Sequence, residues 1–254
     1  MKKILFSNII LMSLLFTASH VCAENKLKID DNQCLVSQDV QQEDDIYTAK
    51  TLILKIGDCH QSSQQYQKIG EFDVPNDTPK LDWVLAKKIN NKQYIIAMMS
   101  FDADFRDQQR DINYTRYYMP TIYTCTHQQC KSENGRLDHF ISAGGDLKNF
   151  STNQFIRKYP YKLKNMLEKD LNTQLFKDWF NQNTIQGVTL KTIPLSAESY
   201  PLTDLNINVD KNTAFTVLDI NARYLNIIFM DKKGKKIQGW INCEATNLCQ
   251  SFNK

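Results

Sequence analysis

Three kinds of side chain in this sequence have the chemistry to act on something, and their spacing limits what each can do. Cysteine is the first. Beyond Cys22 there are six: Cys34, Cys59, Cys125, Cys130, Cys243 and Cys249. Zinc sites favour closer cysteine pairs backed by a second knuckle, so metal binding is not expected, although His127 stands between Cys125 and Cys130. A thiol nucleophile needs one cysteine left unpaired. An even set grouped along the chain instead predicts the bridges Cys34–Cys59, Cys125–Cys130 and Cys243–Cys249.

Histidine and carboxylate come next. His139, Ser142 and Asp146 put a Ser/His/Asp set within one short stretch. Ser142 lacks the Gly-x-Ser-x-Gly elbow that exposes a nucleophile, and a triad is defined by geometry rather than by nearness in sequence. Asp102 and Asp104 begin like a calcium loop. The pattern fails at Arg106, lacks the central glycine and has no well-placed glutamate. The expectation is a non-catalytic chain without a cofactor. The third kind is aromatic with arginine. Tyr114, Arg116 and Tyr118 alternate, which on a strand puts them on one face, and Tyr and Arg are enriched where proteins bind partners.

These residues need elements to hold them. From Glu24 to about Phe150 the pattern is β, with five or six antiparallel strands expected. Tyr47 to Ile56 reads as one strand, and Asp82 to Ile89 with Gln93 to Ser100 reads as a hairpin around Asn90-Asn91. Met119 to Cys125 reads as another strand, entering a bridged return. No strand-helix alternation appears, so a dinucleotide fold is not expected. From Ser151 to Asn183 the period turns helical. Leu163, Met166, Leu167, Leu171, Leu175, Phe176, Trp179 and Phe180 predict one apolar helix face, with Pro160 at its start.

From about Thr184 to Lys254 short strands return. Ile193-Pro194-Leu195 precedes Val217-Leu218-Asp219, then Tyr224 to Met230, a lysine-rich turn at Asp231 to Lys236 with Gly234, and Gly239-Trp240-Ile241. This stretch resembles a bacterial SH3-like (SH3b) domain. Tyr224 stands where that family has Trp, and Arg223 where it has Gly. The resemblance implies a small β-barrel, and alternation alone makes Val217, Leu218, Ile227 and Phe229 candidates for its interior. It also implies a binding module rather than a catalyst. Tyr224 and Trp240 join Tyr114, Arg116 and Tyr118 as candidate binding residues, and the partner implied is a cell-wall peptide or an envelope protein.

The compartment follows from the start of the chain. Lys2 and Lys3, the apolar run Ile4 to Phe16 and Val21-Cys22-Ala23 read as a cleaved signal peptide over residues 1–23, too short to span a bilayer. No later stretch is long and apolar enough to span one, so no membrane span is expected after cleavage. Lys and Arg number 31 against 28 Asp and Glu, and without Lys2 and Lys3 the formal charge falls from +3 to +1. That balance argues against nucleic-acid binding through a broad basic surface. The whole reads as a periplasmic β-rich α+β protein: an N-terminal antiparallel β domain (24–150), an amphipathic helical segment (151–183) and an SH3-like barrel (184–254). Its readings are a wall- or protein-binding module, an inhibitor or immunity protein against a cell-wall-targeting toxin or hydrolase, and a wall hydrolase targeted by the barrel.

Overall fold

The computed structural model describes residues 24–41, 50–74, 77–103, 105–126, 129–199 and 203–249. The expected signal segment, the opening residues of the Tyr47 strand, Asp104 and His127 lie outside the described residues.

Three antiparallel sheets make up the β-rich fold. The first is a meander of β1 (Glu24–Lys28), β2 (Gln33–Gln41), β3 (Lys50–Asp58) and β4 (Gln67–Phe72). The second contains β5 (Lys80–Ile89), β6 (Lys92–Phe101), β7 (Phe105–Asp107), β8 (Ile112–Thr126), β9 (Gln129–Ser132), β10 (Gly144–Asn149) and β11 (Phe155–Arg157). Its order is β11-β10-β8-β6-β5, with β7 and β9 both paired to the long β8. The third contains β12 (Ile185–Val188), β13 (Ile193–Ser196), β14 (Asp204–Val209), β15 (Ala214–Asn221), β16 (Tyr224–Met230) and β17 (Lys236–Asn242), in the order β12-β15-β16-β17-β13-β14. Among the described residues there are three short α-helices, α1 (Arg136–Ile141), α2 (Lys164–Leu171) and α3 (Gln174–Phe180), and three single 3-10 turns.

Strand β6 explains the layering. Its run Tyr94 to Ser100 is buried throughout, so both of its faces are covered. Tyr94, Ile96 and Met98 join a core with the helices and the third sheet, whereas Ile95, Ala97 and Met99 pack with Leu35, Leu54 and Ile56 of the first sheet. The period of two thus gives one strand two cores. The larger core runs without a break from Leu85 to Ala245, across α2 and α3. No helix among the described residues is long and apolar enough to cross a membrane.

The hairpin at Asn90-Asn91 forms as expected. Both asparagines take positive φ (48° and 64°), the type I′ geometry that matches strand twist. Gly234 likewise has φ +77° at the lysine-rich turn, where Asp231 accepts from the backbone amides of Lys233 and Lys235.

Several expectations need correction. Among the described residues, the region from Glu24 to Asn149 holds ten strands in two sheets; β1, β7 and β9 are too short to show a period. The expected single helix is two, because Thr173 caps a new one. Leu163 lies before α2 and is 57% exposed, so it is not part of the apolar face. Helix α1 was missed, since six residues do not complete two turns. In the third sheet Leu218 alternates outward from the buried Val217 while Ile227 and Phe229 are buried, and a bulge between Val217 and Asp219 shifts the buried face to Ile220. That sheet pairs along an open path, with no pairing among the described residues between β12 and β14 to close it into a barrel.

Candidate binding site

The hairpin between β15 and β16 turns on two residues, Ala222 and Arg223, at φ +42° and +65°. That conformation strains any residue with a Cβ. The surroundings hold it: the Ala222 amide donates to the Phe140 carbonyl, and the Arg223 carbonyl accepts from the Cys243 amide. The Arg223 side chain is buried. Its Nε lies 3.3 Å from Asp170 Oδ2 and its Nη1 3.0 Å from Glu244 Oε1. Tyr161 donates to the same Asp170 oxygen. Burial raises the Asp170 carboxyl above its ordinary value, and the Arg223 charge works against that rise.

Tyr224 follows the turn and opens two adjoining hollows. The first, about 150 Å³, lies along β13 and β17 and is lined by Pro194, Ser196, Asp204, Tyr224 and Trp240. Gly239 makes it possible: a Cβ there would meet Leu195 Cγ at 2.6 Å and the Ser196 carbonyl oxygen at 2.9 Å. Only glycine lets β17 approach β13 this closely. Trp240, half-buried on the neighbouring position, forms the wall.

The second hollow, about 340 Å³, is bounded by β11, α2 and the Arg223 turn. Arg157, Lys158, Lys162 and Arg223 contribute positive charge to its lining, and Glu244 contributes negative charge. Lys162 is bound to Asp146 at 3.1 Å. The Arg157 guanidinium sits 4.6 Å from the Tyr224 ring centre. Burial raises the Tyr224 phenol and the Arg157 charge partly offsets this, so the ring keeps its proton near neutral pH. Tyr224 and Asn242 line both hollows, which makes one aromatic half and one cationic half of a continuous groove.

The structure brings Tyr224 and Trp240 together but separates the other three candidates. Tyr114 and Arg116 do not share a face, because a bulge at Thr115 shifts the register between Tyr114–Leu147 and Arg116–Asp146. Arg116 binds Ser100 Oγ through Nε (3.0 Å) and Nη2 (2.6 Å) and reaches Asp102 at 3.2 Å. Tyr118 is buried on that side, stacked on Tyr159 with ring centres 5.0 Å apart, and burial pushes its phenol up to about 12. Tyr114 turns to the opposite face, against Phe105 and Tyr117. The trio therefore does not form one open surface.

His139, Ser142 and Asp146 are not joined either. His139 Nε2 lies 2.8 Å from Asp219 Oδ2, and its ring stacks on Trp179. Asp146 is taken by the Tyr159 amide (2.7 Å) and Lys162, while the Ser142 hydroxyl donates to the Ala143 carbonyl. Asp219 carried no sequence signal as a histidine partner eighty residues away. Among the described residues no group of three His, Cys, Asp or Glu is placed to hold a metal ion. All three expected disulfides are present, with Cα separations of 4.9 Å for Cys34–Cys59, 4.1 Å for Cys125–Cys130 and 5.5 Å for Cys243–Cys249.

Sequence reasoning missed Arg157, Lys158 and Lys162 as lining residues, because they are scattered along a stretch read as helix. No protein-family model, no curated protein and no solved structure matches this chain.

Proposed function

We propose that this is an exported, non-catalytic binding protein of the periplasm whose third sheet is an SH3-like module that takes a cell-wall peptide. The observation that carries the reading is the continuity of the two hollows at Tyr224. An extended peptide laid along the groove places an apolar side chain against Trp240 and Pro194, and a carboxylate beside Lys158 and Arg157. Wall stem peptides offer both groups on neighbouring residues. The Ile193-Pro194-Leu195, Val217-Leu218-Asp219 and Gly239-Trp240-Ile241 strands support the family resemblance, and three disulfides support export into an oxidising space.

The test is co-sedimentation with purified sacculi, followed by titration with a soluble stem peptide. The protein is expected in the pellet. Trp240→Ala should weaken peptide binding by about thirty-fold, the scale of an aromatic hot spot. No retention of the folded protein on sacculi rejects the wall-peptide reading and leaves an envelope protein, such as a toxin or hydrolase that it inhibits, as the partner. Release of soluble wall fragments that is lost in His139→Ala would make the protein a hydrolase instead.

A further inference from the structure

A second surface lies at the opposite end of the second sheet from β5. Register partners run in one row across four strands there: Arg106 on β7, Asn113 on β8, Lys148 on β10 and Phe155 on β11. Row partners share a face. Every residue from Phe150 to Ile156 is exposed, so the β10–β11 hairpin stands in solvent with Phe150 and Phe155 bare. The two rings are not isolated apolar residues. The Lys148 and Lys158 ammonium groups each lie 4.8 Å from the centre of Phe155, and the Arg106 guanidinium lies 5.9 Å from that of Phe150.

The described carboxylates near this end are already engaged. Asp107 faces Arg110, and Asp111 accepts from Ser151 and Asn149, with the Ser151 hydroxyl holding its carboxyl below the usual range. Lys148 is bonded to the neutral Asn153, and among the described residues neither Lys148 nor Lys158 makes an ion pair.

From this arrangement we propose that the Phe150–Phe155 hairpin docks on an anionic phospholipid bilayer. The argument is one of charge and depth together. An anionic polymer would neutralise the lysines but leave both rings in water. An apolar protein groove would cover the rings and strand the cations. A bilayer surface supplies phosphates and a boundary for aromatic rings at the same level, and cation–π contact holds each ammonium at ring height. The net charge of the chain is small, so the attraction is local to this hairpin.

Flotation of the disulfide-bonded protein with phosphatidylcholine vesicles, with and without phosphatidylglycerol, tests this. Binding is expected to the anionic vesicles and to fall as salt rises. K148Q/K158Q should weaken it roughly twenty-five-fold, about five-fold for each lysine. F150A/F155A should weaken it by more than about ten-fold. Phe105→Ala, on the other face beside Tyr114, should bind as the unaltered protein does. Phe150, Phe155 and Lys158 are exposed and Lys148 is half-buried, so urea midpoints should stay unchanged in F150A/F155A and within about 0.5 kcal/mol in K148Q/K158Q, which separates lost docking from lost folding. Absence of binding to anionic vesicles overturns the proposal, as does equal binding to neutral ones or capture by dextran sulfate alone. Lys158 also lines the larger hollow, so retention on sacculi is compared in F150A/F155A, which leaves the groove lining unchanged and keeps that readout separate from docking.

Discussion

Arg223 carries two opposing effects in one residue. Its backbone occupies a left-handed turn position at φ +65°, which costs an L residue roughly 1–2 kcal/mol. Its side chain joins Asp170 and Glu244 in a nearly dry ion cluster, with side-chain exposures of 6% for Arg223 and 9% for Asp170. Removing one partner of a buried pair costs about 3–5 kcal/mol, because a charge is left without its counterpart. Arg223→Gly relieves the backbone and orphans Asp170. The expected result is a net destabilisation of about 2–3 kcal/mol in urea unfolding. If the variant is as stable as the parent, the cluster contributes no more than the turn strain takes away. The glycine of the resembling family would suit the turn alone; this chain uses the position to tie α2 to the third sheet.

At the scale of elements, the break between α2 and α3 shows what a periodic pattern hides. The apolar residues from Met166 to Phe180 keep helical spacing across the break, so the spacing reads as one helix. Thr173 interrupts it by accepting from the Phe176 amide (3.2 Å) and donating to the Asp170 carbonyl (2.6 Å). Thr173→Ala should cost about 1 kcal/mol, seen as a lower urea midpoint, since the Phe176 amide loses its cap while the Asp170 carbonyl keeps the Thr173 amide. A neutral result would mean that packing of Leu175 and Phe176 alone sets the corner. The same limit applies elsewhere. Continuous apolar runs and turn chemistry made β5, β6 and Gly234 legible, and cysteine grouping made the bridges legible. Bulges at Thr115 and Leu218 were not, because one inserted residue reverses every side chain beyond it without altering composition. Of the candidate site, Tyr224 and Trp240 were readable from motif. Arg157, Lys158 and Lys162 were not, since their convergence depends on how β11 meets the Arg223 turn.

For the whole molecule, the two larger cores meet back to back in one sheet, and this predicts that they unfold together. The first sheet covers Ile95, Ala97 and Met99, while the helices and third sheet cover Tyr94, Ile96 and Met98 on the same strand. Loss of either layer bares one face of β6 and weakens the other layer's support. The three tryptophans, Trp83, Trp179 and Trp240, all lie outside the first sheet and report on the larger core or its rim. The Cys34–Cys59 bridge lies wholly within the first sheet and its following loop, closing a separation of 25 residues. C34A/C59A should therefore destabilise by about 3 kcal/mol through the unfolded chain. That loss should appear as one shared shift in tryptophan fluorescence and far-ultraviolet circular dichroism. If fluorescence keeps the parent midpoint while dichroism falls early, the first sheet melts by itself and the shared strand does not couple the two cores.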